Sequence, residues 1–160
     1  MRKMIVLVAG VALATVLATI SVASARSSQP KPQVLKLLSK ASEINNFVDT
    51  GPSGLSPGDL YVFVERLSFA SDPTKQIGSA DGRCVLIDPS VQRFDCSITS
   101  SLPKGTIVTA GTLRLAQGTT SVAAVTGGTG AYRKARGHAT VKLGPFEGPH
   151  EAAFALTLTP

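Results

Sequence analysis

From Val34 onward the chain is a series of short apolar runs punctuated by Gly, Pro, Asp and Ser. The runs are rich in Val, Leu, Ile, Thr and Phe, which suit a pleated, half-buried surface. The pattern predicts eight strands, over residues 34–49, 59–70, 76–87, 92–101, 105–116, 119–126, 136–143 and 151–159, the first broken near Ser42-Glu43. Turn signals separate them: TGPSGLSPGD, SDPTK, DPS, LPKG, AQG and GPFEGPH. No long stretch holds a helical period, and the one helical feature predicted is a turn around Ala131 to Ala135.

Many short strands joined by short turns predict an all-β fold, an antiparallel sandwich or barrel. Two of the runs, LYVFV and FALTL, are apolar on both strand faces. A sheet with one wet face alternates cleanly between apolar and polar. Two apolar faces point instead to a closed barrel with an apolar lumen, its outer face covered in a homo-oligomer. A lumen of that kind holds a small apolar ligand in other eight-stranded barrels.

The N-terminus follows a different pattern. Met1-Arg2-Lys3 is basic, Met4 to Ala25 carries no charge, and the run closes on Ala23-Ser24-Ala25 before Arg26. That is the architecture of a secretory signal peptide over residues 1–25. The run is also long enough, at about 20 residues, to serve as an uncleaved membrane anchor. The small residues at its end and the RSSQPKPQ spacer over residues 26–33 favour cleavage, with no membrane contact afterwards. The expected product is secreted, periplasmic or held at the cell surface, with one domain over residues 34–160.

Without Arg2 and Lys3 the 16 bases of the whole chain fall to 14 against 10 acids, a mild and scattered positive charge. Nucleic-acid binders concentrate bases on one face and supply aromatic platforms, so a nucleic-acid partner is not expected. The two cysteines, Cys84 and Cys96, read as a disulfide in an exported chain. Folding CVLIDPSVQRFDC about Ser90 sets Cys84 opposite Cys96, and Val85, Leu86 and Ile87 opposite Asp95, Phe94 and Arg93. A bond closing so short a loop contributes about 3 kcal/mol in the chain-entropy model. A pair of buried free thiols is the other reading. Two Cys and two distant His fall short of a zinc ligand set, so no metal is expected.

The stretch VTGGTGAYRKARG raises the question of a phosphate site. It contains no G-x-x-x-x-G-K-[ST], and Arg133 stands where a dinucleotide fingerprint needs its third glycine. A sharp corner between two strands fits better, since glycine tolerates positive φ and close backbone approach. Tyr132 then plugs a barrel end, while Arg133 and Arg136 bond carbonyls freed at the corner. The same stretch resembles the G-G-T-G-x-[FY]-x-x-A-R-G signature of plant dirigent proteins and the allene oxide cyclase-like barrels, at Gly127, Gly128, Thr129, Gly130, Tyr132, Ala135, Arg136 and Gly137. LSPGDLYVFVERL and the cysteine hairpin also look like secreted bacterial members of the cyclase-barrel family. The resemblance implies an eight-stranded antiparallel barrel of lipocalin-like form. It also implies a range of chemistries that includes epoxide cyclisation and the steering of phenoxy-radical coupling. The motif marks the barrel and does not choose among them.

Glu65 and Arg66 interrupt the apolar run LYVFVERLSF, and neighbours on a strand face opposite ways, so one of them faces the interior. A carboxylate there is desolvated and its pKa raised, suited to acid or base work. The other reading sets the charge at a barrel mouth in contact with water. Arg114, in GTLRLAQ, carries the same ambiguity and is the second candidate catalytic residue. Tyr61 and Phe63 are candidate ligand contacts. So is His138, a proton shuttle or a rim histidine. Asp59 reads as a turn residue, and His150-Glu151 lacks the second His of a zinc helix.

No G-x-S-x-G elbow or evident triad supports serine hydrolysis. Two functions follow. The first is a barrel that binds a small apolar molecule and guides its cyclisation or coupling without a cofactor, an isomerase of the cyclase type if it is an enzyme. The second is a secreted structural or surface-interaction protein with a packed lumen.

Overall fold

Hairpin follows hairpin around the molecule until the last strand meets the first. The computed structural model describes residues 32–144 and 152–159. The leader at residues 1–25, the spacer up to residue 31, the PFEGP part of the last turn, His150-Glu151 and Pro160 lie outside these. The strands are β1 (Gln33–Val48), β2 (Leu60–Phe69), β3 (Asp72–Asp88), β4 (Arg93–Leu102), β5 (Gly105–Arg114), β6 (Thr120–Gly128), β7 (Arg136–Leu143) and β8 (Ala152–Thr159). Each pairs antiparallel with its neighbour in sequence, and β8 returns to β1, closing an eight-stranded barrel. Closure leaves no sheet edge to be covered.

The alternation of each strand sends one set of side chains into the lumen. On β2 these are Tyr61, Phe63, Glu65 and Leu67; on β3 they include Ala80, Cys84 and Leu86. Leu37, Ile98, Ile107, Val125, Val141 and Leu156 extend the core from the other strands. On the outside Val62, Val85, Ile87 and Val122 remain exposed, the second apolar face that the sequence pattern shows.

The irregularities have local causes. The predicted break near Ser42-Glu43 is a register shift between Ala41 and Asn45 within a continuous β1. β3 begins at Asp72 rather than 76, so most of the predicted SDPTK turn belongs to the strand. Pro73 offers no N–H to a ladder, and the shifts on both sides of Ser68 let it sit at the irregular strand end. The β3–β4 hairpin turns through a 3-10 turn at Pro89–Val91, with the Asp88 carboxylate accepting from Ser90 N (3.1 Å) and Ser90 Oγ (2.6 Å). Cys84 faces Cys96 as expected, bonded, with Cα atoms 4.1 Å apart. Val85 and Leu86 also meet Asp95 and Phe94 as predicted. Arg93, however, pairs with Asp88 and not with Ile87, because the ladder slips at Ile87.

The glycine-rich stretch is a corner. β6 ends on Gly127 and Gly128, and a 3-10 turn at Gly130–Tyr132 leads to β7. The turn docks on the β4–β5 hairpin: Thr129 N donates to Thr106 O (2.9 Å), Ala131 N to Lys104 O (2.8 Å), and Thr106 N to Thr129 Oγ1 (3.0 Å). Gly130 has φ +58°, and a Cβ there would run into the Lys104 carbonyl. At Gly128 a Cβ would meet the carbonyls of Thr106 and Tyr132. These glycines let two backbones touch. Tyr132 is half-buried against the core, and that burial raises the pKa of its phenol. Arg136 Nη1 bonds Ala135 O (2.8 Å), as the corner reading expects. Arg133 instead lies exposed to solvent.

Candidate functional site

The barrel has two distinct ends. The β1–β2, β3–β4 and β5–β6 connections share one with the end of β7 and the start of β8, and the glycine corner lies at the other. At the first end a vestibule of about 340 Å³ opens to solvent, lined by Asn45, Phe47, Leu55, Tyr61, Gln92, Phe94 and Leu115. Beneath it is an inner chamber of about 40 Å³, with Phe63, Glu65, Cys84 and Phe154 in its wall. Tyr61 and Leu115 border both spaces and so form the neck between them.

Strand β2 builds the axis of this site. Tyr61, Phe63 and Glu65 alternate inward, which spaces them about 7 Å apart from the neck downward. The rings of Tyr61 and Phe63 lie tilted with centroids 5.2 Å apart. Phe63 faces Gly82 across the ladder, and a Cβ on Gly82 would overlap its ring. Among the described residues Glu65 is the one carboxyl in the wall of the chamber, and it is only 8% exposed. Its neighbour Arg66 faces outward. The ambiguity of the Glu-Arg pair is thereby resolved in favour of the carboxyl inside.

Arg114 and His138 do not join it. Leu113 takes the inward position on β5, and Arg114 lies outside, its Nε donating to Val91 O (3.3 Å). On β7 Ala139 points in, and His138 is exposed on the outer wall between Ala124 and Thr157 of the flanking strands. Period-two alternation fixes both corrections: one inward residue commits its neighbour to the outside. Tyr61, Phe63 and Glu65 are thus the predicted site residues that the lumen brings together.

Asp59 does more than turn the chain. It is fully buried, and its carboxylate accepts from Thr50 N (2.9 Å), Ser56 N (2.7 Å), Thr50 Oγ1 (3.3 Å) and Ser56 Oγ (3.1 Å). The N–H of Thr50 and then that of Ser56 hold its pKa below the ordinary value, with the two hydroxyls adding to them and burial opposing. The Asp59 backbone is tied to β3, where Leu86 N donates to Asp59 O (2.8 Å). This knot shapes the β1–β2 loop that carries Leu55 to the vestibule. The sequence signal for it is slight: two hydroxyl residues upstream of a Pro-Gly-Asp turn. The disulfide lies in the same region, with Cys84 in the chamber wall beside Tyr61 in the ladder. Among the described residues no group of three or more His, Cys, Asp and Glu is arranged to hold a metal ion.

No family model matches the chain, and no curated protein does. Solved structures do. Pyocyanin demethylase superposes with a TM-score of 0.67 at 28% identity, over 79% of this chain and all of its own (100%). The pterocarpan synthase dirigent protein PsPTS1 gives 0.62 at 19% identity, over 81% of this chain and 94% of its own. The exo-specific intermolecular Diels-Alderase AbnU gives 0.64 at 16% identity, over 81% of this chain and 97% of its own. The chain has the dirigent and cyclase barrel fold. In this dirigent-type barrel, the glycine-arginine corner from which the resemblance was read is structural and lies at the end away from the vestibule.

Proposed function

We propose that the protein is an exported barrel that takes a small apolar molecule at the mouth and guides its cyclisation or coupling, with Glu65 as acid or base. The observation that carries this reading is the two-part site: an apolar, aromatic-walled vestibule above a neck, and one carboxyl beneath it. The volumes assign the parts. A vestibule of about 340 Å³ suits the body of a small organic ligand, whereas the chamber of about 40 Å³ suits only a small substituent or a few waters. The substrate body therefore rests against Phe47, Tyr61 and Phe94, and one polar atom reaches toward Glu65.

The role asks for little machinery. Holding one reactive conformer in a dry pocket lowers the entropic cost of reaching the transition state, and a positioned carboxyl moves one proton. The names of the structural neighbours, a demethylase, a dirigent protein and a Diels-Alderase, describe work on small organic molecules and support this class. The signal-like leader and the Cys84–Cys96 bond support export to an oxidising compartment. Outward Val62, Val85 and Ile87 support self-association.

A second reading rests on the small size of the inner chamber. It makes the lumen a packed core, and the protein a secreted structural or surface-interaction component. Native mass spectrometry of protein taken from its export compartment without detergent separates the two. A small molecule that travels with the wild type and is lost from Tyr61→Ala supports the ligand reading. A clean apo mass, together with no shift in melting temperature across a panel of apolar aromatic and polyene compounds, supports the packed barrel. Where turnover is found, Glu65→Gln is expected to abolish it and keep the fold; unchanged turnover removes Glu65 from the mechanism.

A further inference from the structure

The bases look dispersed along the sequence, and the up-and-down topology regathers them. Successive strands of the closed barrel run in opposite directions. The start of β1, the β2–β3, β4–β5 and β6–β7 turns and the finish of β8 therefore share the glycine-corner end. That end carries Lys36, Lys75, Lys104, Arg133, Lys134 and Arg136, all exposed. Asp72 is the one acid beside them among the described residues, and its carboxylate accepts from Thr74 Oγ1 (2.9 Å). At the mouth Asp49, Asp59, Asp88 and Asp95 stand with Arg93, Arg114 and Lys142, so no excess of bases gathers there among the described residues.

Two further features belong to the cationic end. Val34 and Phe69, on neighbouring strands, are exposed apolar side chains there, at 51% and 38%. The described chain also enters the barrel at this end, at Gln33, and residues 26–32 join it to the uncharged run of residues 4–25. Clustered bases gain from the potential of an anionic lipid surface, and small apolar groups among them sink into the headgroup layer. We infer that the glycine-corner end seats the barrel on an anionic phospholipid bilayer and turns the vestibule toward solvent. The geometry is the same whether the leader is removed or kept, so it replaces the expectation of no membrane contact after cleavage, and it is independent of what the lumen binds.

The test is co-sedimentation of the full chain with vesicles of phosphatidylcholine alone and of phosphatidylcholine mixed with phosphatidylglycerol, at low and high salt. Residues 4–25 contribute to both vesicle types, so the readout is the difference between them. The expected result is tighter partition onto the anionic vesicles, weakened by salt. Each of Lys104→Gln, Arg133→Gln and Lys134→Gln is expected to reduce that preference by about fivefold. Arg83→Gln and Lys142→Gln, which remove charge elsewhere, are expected to leave it unchanged. Equal partition onto both vesicles overturns the inference. So does an equal loss from both sets of variants, or binding to soluble polyphosphate with no preference for anionic vesicles.

Discussion

Phe63 lies against the bare backbone of Gly82, its partner across the β2–β3 ladder, and no Cβ fits between them. The absence of a side chain on β3 is what lets an aromatic ring sit in the wall below the neck. Gly82→Ala is expected to push that ring into the chamber. Overpacking of this kind costs about 1–3 kcal/mol, to be read as a lower urea midpoint at unchanged m-value. A midpoint equal to wild type would show that Phe63 has another rotamer available and that the chamber does not depend on Gly82.

Tyr61 separates the two spaces, so its removal is expected to merge them. Tyr61→Ala should admit longer ligands and weaken the retention of those that rest on the ring. Thermal-shift titration with homologous apolar compounds of increasing length checks this. The optimum length is expected to increase in the variant; an unchanged optimum would place the length limit elsewhere in the vestibule wall.

Asp59 makes the mouth sensitive to acid. Its folded pKa lies below the ordinary aspartate value of 3.8, because the N–H groups of Thr50 and Ser56 favour the carboxylate. A depressed folded pKa contributes stability that is full above the unfolded value and is lost as pH falls through the folded one. The β1–β2 loop is therefore expected to loosen only below about pH 4, seen as faster amide exchange at Thr50 and Ser56 relative to strand amides. Asp59→Asn should remove this acid transition and give a loop that is loose at every pH. Retention of the transition in the variant would assign it to another carboxyl.

The Cys84–Cys96 bond closes a loop of sequence separation 12 across a ladder that is already paired. The double variant Cys84→Ala, Cys96→Ala is expected to lose about 3 kcal/mol in the chain-entropy account. Denaturant unfolding with and without reductant measures it: reductant should destabilise the wild type and leave the variant unmoved. Equal behaviour of the two proteins would mean the bond is not formed in the purified protein.

Much of this architecture was legible in the order of residues. Strand positions follow from β-formers bounded by Pro, Gly and Asp, and the register of the cysteine hairpin follows from Asp88-Pro89-Ser90 to within the slip at Ile87. Glycines at Gly128 and Gly130 announce a corner because no other residue lets those backbones meet. The site was less legible. Alternation says that Glu65 and Arg66 face opposite ways, but LYVFV is apolar on both faces and gives no sign of which face is inside. For the same reason the sequence leaves Arg114 and His138 undecided between the lumen and the outside, and it shows only a turn at the Asp59 knot.

By itself, then, the sequence determined what depends on neighbours along the chain: strands, turns, the disulfide hairpin and the glycine corner. Such features arise from backbone preferences and hydrogen bonds within a few residues. Only the tertiary structure decided which side of each strand became the lumen, because that choice is made when β8 pairs with β1 and the sheet curves to one side. Closure put Glu65 beneath Tyr61 and left Arg114 and His138 outside. It also brought six bases separated by up to 100 positions in the chain, from Lys36 to Arg136, to one end of the barrel, where their charges add.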